Sequence, residues 1–208
     1  AAPKLAVHVS GVSLRHRGRT DVPPLITIQA MTMETSAWRL RSSHIDRIHI
    51  DGLEIVIPPQ RGAAMPALGT QTEEQRQEST SGMPDAFIEE ILSENAKLVI
   101  MPKRENKPPR EFLLHRIRLV NLQFSQPMPF EATLTNPVPE GRIEAIGQLG
   151  PWRGDEPGLT PLNGSYTFDA DLGTIKGIGG ALDAKGSFTG ELERIQAEIE
   201  ALNFADQM

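Results

Sequence analysis

The chain has 208 residues, 38% of them hydrophobic and 5% aromatic, with 18 glycines, 17 prolines, no cysteine and a net charge of −6. The lack of cysteine excludes disulfides, cysteine-ligated zinc and thiol nucleophiles, and an acidic balance without a basic stripe does not suggest a nucleic-acid binder. No apolar run reaches the ~18 residues of a membrane-spanning helix, and the opening Ala1-Ala2-Pro3 leads us to expect a piece of a larger protein whose N-terminal membrane anchor is absent from this chain.

Leu5-Ala-Val-His-Val9 alternates with a period of two, the pattern of a strand, and resumes after Gly11 with Val12 and Leu14. Residues 15–21 read as a polar, basic turn, and residues 25–33 as a second strand rich in β-branched side chains. A short helical turn is expected within 34–43, with Trp38 and Leu40 packing back, and a third strand over 45–50. The next stretch organises the rest: Asp51-Gly-Leu-Glu-Ile-Val-Ile-Pro-Pro59. Asp51-Gly52 signals a tight turn, Leu53, Ile55 and Ile57 share one strand face, and two prolines end the strand. The device returns about 44 residues later in Glu94-Asn-Ala-Lys-Leu-Val-Ile-Met-Pro102, with Leu98 and Ile100 in the apolar row, and points to two stacked, related β units.

Between the copies, residues 60–82 are dominated by Gln, Glu, Thr, Ser, Gly and Ala. Such composition buries too little surface to offset ordering entropy, so a flexible insertion is expected. Residues 84–95 read as a helix: Pro84 suits a first turn, Asp85, Glu89 and Glu90 suit its N-terminal half, and Phe87, Ile88, Ile91 and Leu92 form an apolar stripe that would cover the sheet. After a basic turn at 103–109, strands are expected over 111–121, 128–135, 141–149, 164–171 and 182–199, the last broken near Gly190. Near-regular strand spacing between turn signals indicates an all-β chain. The expected fold is therefore mainly β: a curved antiparallel sheet, groove or half-barrel, with one covering helix. It would form a single elongated domain over 1–208, built of units 1–59 and 83–208 around the 60–82 insertion.

No motif carries bond chemistry. The five histidines, His8, His16, His44, His49 and His115, are scattered and match no metal-ligand spacing. Gly186-Ser-Phe-Thr-Gly190 is not a nucleophile elbow, Gly177-Ile-Gly-Gly180 is not a dinucleotide loop, and the carboxylates Asp169 with Asp171 and Glu191 with Glu193 share strand faces rather than facing across a cleft. Neither metal nor cofactor is expected, and the chain reads as a non-enzyme. What stands out is surface: the rows Leu53/Ile55/Ile57, Leu98/Ile100, Ile117/Leu119, Phe130/Ala132/Leu134 and Ile143/Ala145. They fit either a closed sandwich core or an open sheet whose apolar face forms a trough for acyl chains. Composition alone leans to the first, because monomers rarely expose large apolar faces.

The segments Gly141-Arg-Ile-Glu-Ala-Ile-Gly-Gln-Leu-Gly-Pro-Trp152, Glu156-Pro-Gly-Leu-Thr-Pro-Leu-Asn-Gly-Ser-Tyr-Thr-Phe168, Leu172-Gly-Thr-Ile-Lys-Gly-Ile-Gly-Gly180 and Gly190-Glu-Leu-Glu-Arg-Ile195 together resemble the AsmA-like family of bacterial envelope proteins. Arg17-Gly-Arg-Thr-Asp-Val-Pro-Pro-Leu-Ile26, residues 51–59 and Phe112-Leu-Leu-His-Arg-Ile-Arg-Leu119 fit the same family. The resemblance spans most of the chain outside 60–82. It implies an inner-membrane anchor, a β-rich region on the periplasmic side, and an apolar β groove that binds or transfers phospholipid acyl chains or supports outer-membrane homeostasis. On this implication Leu53, Ile55, Ile57, Leu98, Ile100, Ile117, Leu119, Ile143 and Ala145 line the groove. The alternative is a structural module of an outer-membrane assembly factor that takes β-rich clients by strand addition.

Overall fold

The computed structural model describes residues 4–15, 22–59, 86–102, 107–175 and 179–205. The expected insertion at 60–82 lies outside the described residues, as do His16 and most of the turn at 15–21. Ten strands lie in one sheet in chain order. They are β1 (Lys4–Leu14), β2 (Ile26–Ser36), β3 (His44–Ile57), β4 (Phe87–Ile100), β5 (Arg110–Leu122), β6 (Met128–Pro137), β7 (Glu140–Leu149), β8 (Pro161–Asp171), β9 (Ala181–Glu191) and β10 (Arg194–Ala205). The fold is mainly β, and the sheet is not closed into a barrel, since β1 and β10 stand at opposite ends of the strand order. Described helix is limited to α1 (Ala37–Leu40) and single 3-10 turns at Pro157–Leu159 and Leu172–Thr174. No described helix is long and apolar enough to cross a membrane.

The sheet is mixed rather than antiparallel. The two repeated strands, β3 and β4, lie side by side and run parallel, with Ile55 opposite Leu98 and Ile57 opposite Ile100. A parallel pair needs a crossover rather than a hairpin, and most of the connection from Ile57 to Phe87 lies outside the described residues. Strands in such a pair are commonly buried on both faces and read as unbroken apolar runs. Ile55-Val56-Ile57 and Leu98-Val99-Ile100 are such runs, and Val56 and Val99 are as buried as Ile57.

From Phe87 onward the expected helix at 84–95 is instead the first part of β4, while residues 84 and 85 lie outside the described residues. Its apolar spacing, Ile88 then Ile91, imitates a helical period, but the three-residue step has another cause. The same step recurs in neighbouring strands: Val9 to Val12, Ile28 to Met31, Ile50 to Leu53, Ser93 to Ala96 and Leu114 to Ile117. Between the members of each pair stands one residue outside the regular pairing: Gly11, Gln29, Gly52, Asn95 or His115. Gly11, Gly52 and Asn95 take the left-handed backbone conformation at φ 70, 62 and 56°, and at His115 the register shifts as in a β-bulge. These residues form one row across five strands, a crease that moves the side-chain alternation by one residue in every strand at once. The apolar side chains therefore stay on one face on both sides of it. The step from Leu119 to Leu122 in β5 and from Ile88 to Ile91 in β4 marks a second crease, where Asn121 has φ 52°.

Gly52 consequently lies within a continuous strand, not in the tight turn that Asp51-Gly52 signals. A Cβ at Gly52 would stand 2.5 Å from the Gln29 side chain, whereas one at Gly11 would meet nothing within 4 Å. Gly11→Ala is expected to cost about 1–2 kcal/mol, the left-handed backbone penalty alone, and Gly52→Ala more, because Gln29 must also move. Paired thermal melts of the two variants test this ordering, which fails if Gly52→Ala is the milder change.

The main core gathers on one side of β2–β6: Ile28, Ile48, Ile50, Leu53, Ile88, Ala96, Leu114, Leu122 and Met128 are buried together. At one end of the strands the loops fold back onto it. Phe124 and Trp152 pack against the cluster, and the Trp152 backbone N–H donates to the Phe124 carbonyl at 2.8 Å.

Candidate functional site

Cross-strand partners lie on the same face of a sheet, so the register assembles the apolar rows residue by residue. Ile55 meets Leu98, Ile57 meets Ile100, and Leu98 meets Phe112. Ile117 meets Ser93 and Ala132, while Leu119 meets Ile91 and Phe130. Leu134 meets Ile143, and Ala132 meets Ala145. The structure thus brings all nine sequence-predicted groove residues onto one face. Leu53 and Ile57 are buried; Ile55, Leu98, Ile100, Ile117, Leu119, Ile143 and Ala145 are half-buried.

The same face continues through β8–β10, beyond the rows identified from the sequence. Ile143 pairs with Phe168, and Ala145 with Tyr166. Phe168 pairs with Ala184, Tyr166 with Gly186, and Gly164 with Phe188. Gly186 pairs with Ile199, Ala184 with Leu202, and Leu182 with Phe204. The signal was present as Leu162-x-Gly-x-Tyr-x-Phe168, an alternation diluted by glycine. Those glycines sit beneath aromatic rings: a Cβ on Gly164 would stand 2.6 Å from Phe188 Cζ, and one on Gly186 2.7 Å from Tyr166 Oη. Phe188 in turn lies 6.2 Å, centroid to centroid, from Phe130. Aromatic side chains laid over glycines give this half of the face a low floor.

Burial falls along the sheet. The β2–β6 part is packed, while β10 is exposed at every residue, with Ile199 62% and Phe204 66% accessible. Among the described residues, extensive contacts join only strands adjacent in the sheet. No described helix or second sheet lies across the apolar face.

On the other face Val56 and Val99 pair and are buried, and the remainder carries the charged residues. Residues that alternate with the apolar rows form cross-strand ion pairs: Arg47 Nε donates to Glu90 Oε2 at 2.8 Å, and Arg118 Nε to Glu90 Oε1 at 2.7 Å. Within β7, Arg142 Nη2 lies 2.8 Å from Glu144 Oε1. An open depression of about 500 Å³ on this side is lined by Arg118, Glu131, Ile146, Gln148 and Ser165, and no set of catalytic groups converges in it. The amphipathic split is that of a sheet with one wet and one apolar side.

Arg118 first, then Arg47, hold the Glu90 carboxyl below its ordinary value of 4.5. A depressed carboxyl contributes stability that is present above the unfolded value and lost as pH falls through the folded one. Acidification below about 4.5 is therefore expected to lower the melting temperature, and Glu90→Gln is expected to flatten that dependence while leaving the other carboxylates' share. An unchanged acid profile in the variant would remove Glu90 from the account.

His44 is not isolated, contrary to the sequence expectation. It lies with Asp46 and Glu89 in a group whose ligating atoms fall within 4.8 Å of one another. Arg39 from α1 fills the centre: its Nη1 is 2.7 Å from Asp46 Oδ1 and 2.6 Å from Glu89 Oε1, and His44 Nε2 is 2.9 Å from the same Glu89 oxygen. His44, then Arg39, hold the Glu89 carboxyl below its usual range. The group acts as a cross-strand clasp between α1, β3 and β4, with the guanidinium where a cation would stand. His8 and His115 each make one bond to a threonine, Thr32 at 3.0 Å and Thr135 at 2.7 Å. His49 lies 3.2 Å from Asp51.

No protein-family model, curated protein or solved structure matches this chain.

Proposed function

We propose that this chain is the periplasmic, β-rich part of an AsmA-like envelope protein that holds phospholipid acyl chains against the apolar face of its sheet, without catalysing a reaction. The observation that carries this reading is a ten-stranded open sheet whose one apolar face continues from Ile55 and Leu98 to Ile199 and Phe204 with no described layer across it. The motif resemblance supplies the envelope setting, an inner-membrane anchor outside this chain, and phospholipid as the ligand class. The creases along Gly11–His115 and at Asn121 support a curved sheet, since bulges bend strands, and the curvature makes the apolar face the inner wall of a groove or half-barrel. Acyl chains lie on that wall and headgroups stay in water, each buried CH₂ contributing ~0.8 kcal/mol.

Solvent extraction of the purified chain followed by mass spectrometry is expected to release phospholipid, and a fluorescent phospholipid is expected to bind the extracted protein. Protein that carries no lipid and binds none overturns the reading. Hydrolytic turnover of ester or phosphoester substrates would overturn the non-catalytic part alone.

The runner-up, capture of β-rich clients by strand addition, is favoured by one observation: β10 is an exposed, twelve-residue edge strand. Peptide capture by lipid-free protein would support it.

A further inference from the structure

We propose that the two edges of the sheet are complementary, so that β10 of one copy of this chain pairs in parallel with β1 of the next and extends the sheet head to tail. This inference goes beyond the lipid reading and does not rest on it.

Direction is the first ground. Every neighbouring pair from β1 to β10 is antiparallel except β3 with β4. Because of that single parallel pair, β1 and β10 run the same way. A copy shifted sideways therefore presents its β1 to β10 in parallel, with its apolar face on the same side.

Pattern is the second ground. The apolar row of β1 is Leu5, Val7, Val9, Val12 and Leu14; that of β10 is Ile195, Ala197, Ile199, Leu202 and Phe204. The spacing is identical, including the three-residue step. In β1 the step spans Gly11 at φ 70°. In β10 it spans Glu200, where the register with β9 shifts. Parallel alignment of Leu5 with Ile195 superimposes all five apolar positions and sets Glu200 beside Ser10, one residue from Gly11. Antiparallel pairing of β1 with β10 turns the apolar face of the neighbouring copy to the opposite side, and a slip by one residue sends the rows to opposite faces.

Exposure and charge are the third ground. Protected edges are short, proline-bearing, or bent away by a bulge. These edges are 11 and 12 residues long and contain no proline, and the bulge of β10 lies one residue from the break in β1. Leu5, Val7, Ile195, Ile199, Leu202 and Phe204 are all large apolar side chains left exposed. On the polar side the alignment sets His8 against Glu198, with one like-charged pair, Lys4 and Arg194, at the strand starts. A two-fold pairing of β10 with itself would instead bring Glu198 and Glu200 of both copies to one seam. A head-to-tail contact is heterologous, and with copies related by a sideways shift rather than a closing rotation it yields an open series of sizes.

Sedimentation of the full chain is expected to show association that grows with concentration, without a fixed stoichiometry. Val7→Lys blocks one edge and Ile199→Lys the other, and both side chains are already exposed, so each variant is expected to fold as the parent does by circular dichroism and to sediment as a monomer. Mixed in equal amounts they are expected to form a dimer and stop, because each supplies the edge the other has lost. As a second readout, the chain has no cysteine, so Val9→Cys mixed with Ile199→Cys is expected to give a disulfide-linked pair on oxidation. A parent that stays monomeric at every concentration overturns the proposal. So does a Val7→Lys variant that dimerises alone, which would mean two-fold pairing through β10, and so does association that requires an added β-rich protein.

Discussion

Glutamate at both Ile55 and Ile100 is expected to lower phospholipid affinity by at least about tenfold while leaving the protein folded. The two residues are half-buried on adjacent strands of the apolar face, at the level where Ile55 meets Leu98 and Ile57 meets Ile100. A carboxylate at either place reaches water along the open side of the sheet, so it does not carry the penalty of a sealed charge. It does stand where an acyl chain would lie. Losing contact with one methylene at each position removes about 1.6 kcal/mol at ~0.8 kcal/mol per CH₂, and about 1.4 kcal/mol is tenfold in affinity. Thermal melting with fluorescent-phospholipid titration separates the cases. A folded double variant that binds as the parent does removes these positions from the groove. An unfolded one shows that the rows are a sealed core, with cost above about 4 kcal/mol.

Leu122→Ala is expected to cost about 2–5 kcal/mol, the range for emptying a closed site of this size, whereas Phe204→Ala is expected to change stability by less than about 0.5 kcal/mol. Both side chains belong to the apolar side of the same sheet. Leu122 is 1% accessible, enclosed with Met128, Ile88 and the loop residues Phe124 and Trp152. Phe204 is 66% accessible on the last strand. Denaturant unfolding of the two variants reads the gradient directly. Equal losses would mean that β10 is covered in solution, and combined with a monomeric parent they would point to cover from within the chain.

Acid sensitivity through Glu90 and the glycine pair at the crease follow from a feature that spacing alone disguises. A break in alternation, repeated at one level across neighbouring strands, produces apolar residues three apart. In β4, Ile88 and Ile91 with Phe87 and Leu92 therefore look helical, and Asp85, Glu89 and Glu90 look like a helix N-terminus. The structure spends Glu90 on Arg47 and Arg118 of flanking strands instead, and Glu89 on Arg39 and His44. Such partners lie 43, 28, 50 and 45 residues away in sequence, beyond any local pattern.

Much was nevertheless fixed locally. Period-two alternation, β-branched content and punctuation by glycine and proline placed most strands within a few residues of their ends. They also identified the row Leu53, Ile55 and Ile57 and its repeat at Leu98 and Ile100, because strand geometry sends alternate side chains to one face whatever the neighbours are. Local sequence likewise put Ile117, Leu119, Ile143 and Ala145 on apolar rows. Tertiary structure alone decided which rows share a face and how fully each is buried. It paired the two repeated strands in parallel, because their uninterrupted runs Ile55–Ile57 and Leu98–Ile100 are best buried beside each other on both sides. It kept the sheet open and left β10 uncovered. It also aligned Gly11, Gln29, Gly52, Asn95 and His115 in one crease, because a strand that breaks its alternation keeps its apolar face only if its neighbours break theirs at the same level.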